Sequence, residues 1–215
     1  MPRPGELSLA HHGVLFLDEL PEFDRRVLEA LREPLESGQV HISRASHQAS
    51  FPARTLLIAA MNPCPCGFPD DPLRGCGYAC EKARRYQARL SGPLLDRMDL
   101  QLDVRPVNHK ALLDAARGES SASVRHRVMA SRQRQLKRQG KLNSALARED
   151  FEETLNTHAD LIGRALRQLD LSARALIRLL RVARTIADLA DSRTIDADHL
   201  REALSFRPAP RRRNP

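Results

Sequence analysis

The stretch Gly13-Val-Leu-Phe-Leu-Asp-Glu19 decides how the first half of this chain folds. Its apolar run, Val14–Leu17, suits a short buried parallel strand. Two carboxylates, Asp18 and Glu19, follow at the C-terminal end of that run. In an open α/β sheet, ligands bind at the carboxyl ends of the strands. Adjacent strand residues point to opposite sides, so the two acids are expected to do different jobs. One can hold magnesium beside a nucleotide phosphate, and the other can polarise an attacking water. A strand that merely ends in two acids before a turn would read the same way, so the pair by itself leaves both readings open.

Outward from this strand, the first half alternates strands and helices. Pro21 opens an expected helix to about Ser37, with Phe23, Val27, Leu31 and Leu35 at four-residue spacing and Gly38 as its stop. Val40–Ile42 and Ala49–Phe51 flank a polar stretch and predict a hairpin. Thr55–Ala60 reads as a second buried strand, and Asp99–Val104, which alternates Leu100, Leu102 and Val104, as a third. Pro106 marks a boundary, beyond which the chain reads as helical. The expected helices are Asn108–Arg117, Ser121–Gln139, Ala147–Leu169, Ser172–Asp191 and Asp196–Phe206, with N-caps among Ser120–Ser123, at Ser172 and at Asp196. The fold class is therefore α/β: residues 1–106 form a partial core with a parallel sheet, 107–206 an all-α domain, and 207–215 a basic disordered tail.

A chain of 215 residues with 41% hydrophobic and 29% charged residues has the composition of a soluble globular protein. No apolar run approaches the roughly 20 residues of a membrane helix. The N-terminus Met-Pro-Arg-Pro-Gly-Glu has no signal-peptide core, so a cytoplasmic location is expected. The net charge of +8 is concentrated between Ser120 and Arg148, which hold eight Lys or Arg and no acid. Such a stripe suits a polyanion, most often nucleic acid, or is simply a solvated helix face. All four cysteines, Cys64, Cys66, Cys76 and Cys80, lie in one Gly- and Pro-rich stretch. Paired thiolates at short spacing suit a structural Zn2+ site, with free thiols as the alternative. No Ser/His/Asp or Cys/His hydrolase arrangement is readable.

The runs Pro4–Phe23, Leu28–Gly38, Ala60-Met-Asn-Pro-Cys-Pro-Cys-Gly67, Leu90–Leu100 and Val182–Leu189 resemble, in order, the magnesium-chelatase-like AAA+ proteins of the ComM/YifB type. The resemblance implies a P-loop NTPase core with a helical lid, ATP and Mg2+ as cofactors, and a hexameric ring acting on DNA. Members of the ComM type are DNA helicases that promote branch migration during natural transformation. Asp18 and Glu19 then match Walker B. Asn62, otherwise a strand-end turn residue, matches sensor 1. Arg97, otherwise a surface partner of Asp96 or Asp99, matches the arginine finger that completes a neighbouring subunit's site. Arg174, Arg178, Arg181 and Arg184 share a helical face, and the resemblance puts a phosphate-contacting sensor 2 arginine there, Arg174 first and Arg184 second. The hairpin resembles a pore hairpin, with Arg44 and His47 toward the DNA backbone.

The sequence departs from the family at one point. It contains no Gly-x-x-x-x-Gly-Lys-Ser/Thr loop to cradle phosphates, and the expectation is a C-terminal portion that hydrolyses ATP poorly alone. Two further readings stay open: a magnesium-chelatase-like ATPase that remodels a protein partner, and a non-enzymatic DNA-binding fragment.

Overall fold

The computed structural model describes residues 2–44, 47–66, 81–104 and 118–207, with backbone alone at Arg44 and His47. The chain falls into two compact units, Met1–Met98 and Asp99–Pro215.

In the first unit, a short helix α1 (Glu6–Leu9) leads into strand β1 (Val14–Leu17). β1 pairs in parallel with β4 (Leu56–Ala59), in register Val14 with Leu56 and Leu17 with Ala59. The lead-ins are tied as well: His12 N–H donates to the Arg54 carbonyl at 2.7 Å, and Arg54 N–H donates to His11 Nδ1 at 3.0 Å. The expected parallel pairing is present, but the expected burial is not. Val14, Phe16, Leu56 and Ile58 are all exposed. They occupy one face of a two-stranded sheet, and no described residue covers it. Leu17, on the other face, packs against the core formed by Leu20, Leu28, Leu31, Leu90 and Leu94.

The single helix expected from Pro21 to Ser37 is three pieces: a 3-10 turn at Leu20–Glu22, α2 (Arg25–Ala30) and α3 (Pro34–Ser37). Asp24 caps α2 by accepting the Arg26 N–H at 2.7 Å. Pro34 has no N–H to continue a helix and instead starts the next one. Leu28 and Leu31 are buried, whereas Phe23 and Val27 are exposed. Gly38 closes α3 in the left-handed region at φ 71°. The hairpin follows, longer than its apolar runs suggest: β2 (Gln39–Arg44) and β3 (His47–Pro52) are antiparallel, with Val40 opposite Phe51 and Arg44 opposite His47. Among the described residues two further helices of this unit follow, α4 (Glu81–Gln87) and α5 (Gly92–Leu95), α5 capped by Ser91.

The strand expected at Asp99–Val104 does not form. Leu100, Leu102 and Val104 are exposed. The backbone there has no neighbouring strand among the described residues, and Gln101 N–H donates instead to the Phe206 carbonyl at 3.0 Å.

In the second unit, α6 (Ser121–Gln139) starts where its cap places it, with Ser120 Oγ accepting the Ser123 N–H at 3.2 Å. The helix expected at 147–169 is interrupted at His158 (φ −115°, ψ 27°). The result is a 3-10 turn at Glu149–Phe151, then α7 (Glu152–Thr157) and α8 (Ala159–Leu169). His158 is used there: its Nε2 meets the Ile195 carbonyl at 2.9 Å. Helix α9 (Ala173–Leu189) starts at the Ser172 cap, and α10 (Ala197–Ser205) at Asp196, whose N–H donates to His199 Nδ1. The core gathers Phe151, Ile162, Leu179, Leu180, Ala183, Ala187, Ile195 and Leu200 around α9. Arg207, assigned to the tail from sequence, is buried against this unit. The helix expected at 108–117 and the tail from 208 lie outside the described residues. No helix among the described residues is long and apolar enough to cross a membrane.

Candidate functional site

The parallel register sets the site. It brings the ends of β1 and β4 side by side, and hydrogen bonds extend the match past both strands. Ala60 N–H donates to the Leu17 carbonyl and Leu20 N–H to the Ala60 carbonyl, each at 2.9 Å. Asp18 and Glu19 therefore lie at the same sheet end as Asn62. The alternation expected for the acids does not apply, because the strand ends at Leu17 and the chain turns. Glu19 sits at φ 48°, a left-handed conformation that costs energy for a residue with a side chain. Its N–H donates to Asp18 Oδ1 at 2.9 Å, which fixes the Asp18 carboxylate in the same turn. Asp18, Glu19 and Asn62 are all exposed. Their exposure leaves both carboxylates reachable from solvent, which suits a divalent cation at Asp18 and a water at Glu19.

Helix α4 backs this turn, and the sequence reading missed it. Tyr86 is buried, and its hydroxyl meets the Asn62 backbone. Burial, followed by the negative charges of Glu22 and Glu19, raises the Tyr86 phenol above its ordinary pKa. Gln87 Nε2 donates to the Pro63 carbonyl at 2.6 Å, and Arg89 reaches the Pro21 carbonyl at 3.0 Å and Glu22 at 2.9 Å. These three side chains brace both halves of the turn. Nothing local in the sequence marks them, since their partners are 24 to 68 residues away.

Arg97 is not paired with Asp96 or Asp99. Its Nη2 donates to Glu36 Oε2 and its Nη1 to the Pro93 carbonyl, each at 2.6 Å. Its side chain is only 9% exposed, and Nε has no partner among the described residues. It lines an open cleft of about 500 Å3 with Glu29, Arg32, Glu33, Glu36 and Ser37. Hydrogen bonds from Ser91 and then Arg32 hold Glu29 below the usual carboxylate range.

The four arginines of α9 have separate fates. Arg174 is exposed near the start of the helix. Arg178 pairs with Asp99 at 2.8 Å, and Arg181 Nε donates to the Leu146 carbonyl at 2.8 Å. Arg184 is buried and committed to its own unit: it reaches Asp188 Oδ1 at 3.1 Å, the Ser192 carbonyl at 2.6 Å and the Arg193 carbonyl at 2.9 Å. Asp188, itself buried, also takes Arg138 and the Asn143 amide. The basic 120–148 segment is thus partly neutralised from within: Arg127, Arg134, Arg138 and Lys141 pair with Glu119, Asp191, Asp188 and Asp150.

Cys64 is buried, Cys66 is exposed, and their sulfurs are 3.1 Å apart. Cys76 and Cys80 lie outside the described residues, as do the side chains of Arg44 and His47. Among the described residues no group of three or more His, Cys, Asp or Glu is placed to hold a metal.

Comparison with known proteins follows this geometry. The family model "Magnesium chelatase, subunit ChlI" matches residues 1–112, and its C-terminal companion matches residues 118–207. The chain is 50% identical over 214 residues to the uncharacterized protein YifB of Escherichia coli, covering 96% of this chain and 41% of that protein. It is 47% identical over 211 residues to the competence protein ComM of Haemophilus influenzae, with 96% and 41% covered. Maternal DNA replication licensing factor mcm6 of Xenopus tropicalis is 32% identical over 96 residues, 45% of this chain and 10% of that protein. The chain thus spans about 41% of the length of YifB and ComM.

Proposed function

We propose, for a chain that belongs to the magnesium chelatase ChlI family and is of its ComM/YifB type, that it forms the water-activating part of an ATP-driven DNA motor. The observation that carries this is the β1–β4 register, which sets Asp18, Glu19 and Asn62 at one sheet end. Bound ATP and Mg2+ would supply the phosphoanhydride to be cleaved and the positive charge that offsets its oxygens. Asp18 would hold the cation, Glu19 would take the proton of the attacking water, and Asn62 would orient that water. Arg97 would serve the neighbouring subunit of a hexameric ring, for which it must leave Glu36. Arg174 is the proposed lid arginine in preference to Arg184, because Arg184 is spent on Asp188 and two carbonyls.

The name competence protein ComM and the mcm6 likeness support DNA as the substrate. Arg44 and His47, opposite each other at the end of the hairpin, are the proposed DNA contacts. Cys64 and Cys66, with Cys76 and Cys80, are proposed to hold a structural Zn2+.

The test supplies the phosphate loop. The chain alone is expected to hydrolyse ATP negligibly. Joined to a polypeptide carrying a Gly-rich phosphate loop, it should show DNA-stimulated hydrolysis that Glu19→Gln abolishes. Hydrolysis that survives Glu19→Gln would sink the assignment. A protein-remodelling ATPase is the second reading, favoured if turnover is indifferent to DNA and DNA binding lacks a steep salt dependence.

A further inference from the structure

Helix α3 carries Glu36 and runs straight into the hairpin, and the junction between them is stiff. Ser37 Oγ lies 3.0 Å from both the Glu33 and the Gln39 carbonyl, donating to one of them, and accepts the Gln39 N–H at 3.1 Å. The Gly38 carbonyl accepts the Ala53 N–H at 2.8 Å, just past the end of β3. The Arg54 side chain closes on Gly38 so tightly that a Cβ there would stand 2.8 Å from its Cγ. Beyond this base, β2 and β3 are paired from Gln39–Pro52 to Arg44–His47. The six-residue ladder and the bonded junction leave little slack, so a displacement of the hairpin is carried into α3.

The group that α3 holds is Arg97. Glu36 Oε2 accepts from Arg97 Nη2 at 2.6 Å, and the Pro93 carbonyl accepts from Nη1. The guanidinium is stored there without being fully satisfied. The side chain is 9% exposed, and its Nε has no partner among the described residues. A buried N–H left unpaired is costly, and a phosphate offers a guanidinium the forked acceptor that one carboxylate oxygen and one carbonyl do not. The cleft beside Arg97 is open, which gives the side chain a way out. A tie that only held α3 to α5 would need neither the unpaired nitrogen nor the exit.

We propose that Glu36 is a positioning residue that keeps Arg97 from the neighbouring subunit's nucleotide, and that DNA on the hairpin releases Arg97 by moving α3. DNA shifts the balance only by binding the released state more tightly. The proposal rests on the reading of Arg97 and of the hairpin given above.

The experiment follows the reactivity of Arg97 toward phenylglyoxal, read by mass spectrometry on the full chain with and without a single-stranded oligonucleotide. Arg97 should react slowly in the chain alone and several-fold faster with the oligonucleotide, a comparison that needs no variant. In Glu36→Gln it should react fast from the start and gain nothing from the oligonucleotide. In the complemented ATPase, Glu36→Gln should raise DNA-free hydrolysis roughly three- to tenfold and reduce stimulation by DNA in proportion. Glu36→Asp should recover part of the restraint, and Glu33→Gln, which removes the same charge from the same cleft, should leave both rates unchanged. Oligonucleotide binding that depends on Arg44 and His47 but never moves Arg97 reactivity overturns the proposal and leaves the DNA contact standing. Hydrolysis lowered by Glu36→Gln to the same degree with and without DNA also overturns it, since that is the result of a purely structural tie. If Arg97 is released as described but Arg97→Ala leaves complemented hydrolysis untouched, the restraint by Glu36 stands and the assignment of Arg97 to the neighbouring site fails.

Discussion

Replacing Asp188 by Ala tests the interior of the helical unit most severely. Asp188 is 1% exposed and balances two guanidinium groups. Arg138 is one-third exposed and can regain water when its partner goes. Arg184, 8% exposed, cannot. Breaking a buried pair by removing one partner costs about 3–5 kcal/mol. Losing the bond to the Asn143 amide adds about 1 kcal/mol. At about 4 °C per kcal/mol for a unit of this size, the melting temperature should fall by roughly 16–24 °C. The assay is urea unfolding followed by far-ultraviolet circular dichroism at neutral pH, with Asp191→Ala as control. Asp191 is an exposed partner of Arg134, and its loss should cost no more than about 1 kcal/mol. Acidity supplies an independent readout. Burial works to raise the Asp188 pKa, but hydrogen bonds from Arg138 and Asn143 and the charge of Arg184 outweigh it, so the folded value lies below the ordinary 3.8. A depressed carboxylate stabilises the fold above its unfolded pKa and loses that contribution as pH falls through the folded value. Wild type should therefore lose more stability than Asp188→Ala in that acid window. A loss under about 1 kcal/mol at neutral pH, or identical acid profiles, would refute the reasoning.

Other outcomes follow from single contacts. A Cβ at Gly38, where φ is +71°, would stand 2.8 Å from Arg54 Cγ, so Gly38→Ala should destabilise the first unit by about 1–3 kcal/mol in urea melts. Tyr86→Phe removes the hydroxyl beside the Asn62 backbone; hydrolysis by the complemented ATPase should fall while nucleotide affinity, read by equilibrium binding, holds. Arg97→Ala should lower that hydrolysis by about 10³-fold or more, and in mixed assemblies the deficit should follow the neighbour's site rather than the mutant's own.

The legible parts were those whose cause is local. Ser120 and Ser172 start their helices by capping N–H groups three residues on, and Gly38 ends one by adopting a left-handed turn. The apolar run at 14–17 forms its parallel strand with the residues named. Long helices were read too generously. Pro34 and His158 break them, and the four-residue spacing did not hold at Phe23, which precedes α2, or at Val27, which shares α2 with buried Leu28 but is exposed. The alternation at 99–104 produced no strand, because a strand needs a neighbour to accept its N–H groups.

The sequence by itself determined the family, the order of its motifs and the two acids at a strand end, because these depend on residue identity at short spacing. The tertiary structure decided which of those residues are still available for chemistry. Long-range partners bury Arg184 on Asp188, hold Arg97 on Glu36, place Tyr86 under Asn62 and leave Val128, Met129 and Leu136 of α6 in water. Each outcome depends on a group distant in sequence or on packing against another element, and a charge or an apolar side chain acquires its role only from what the fold sets against it.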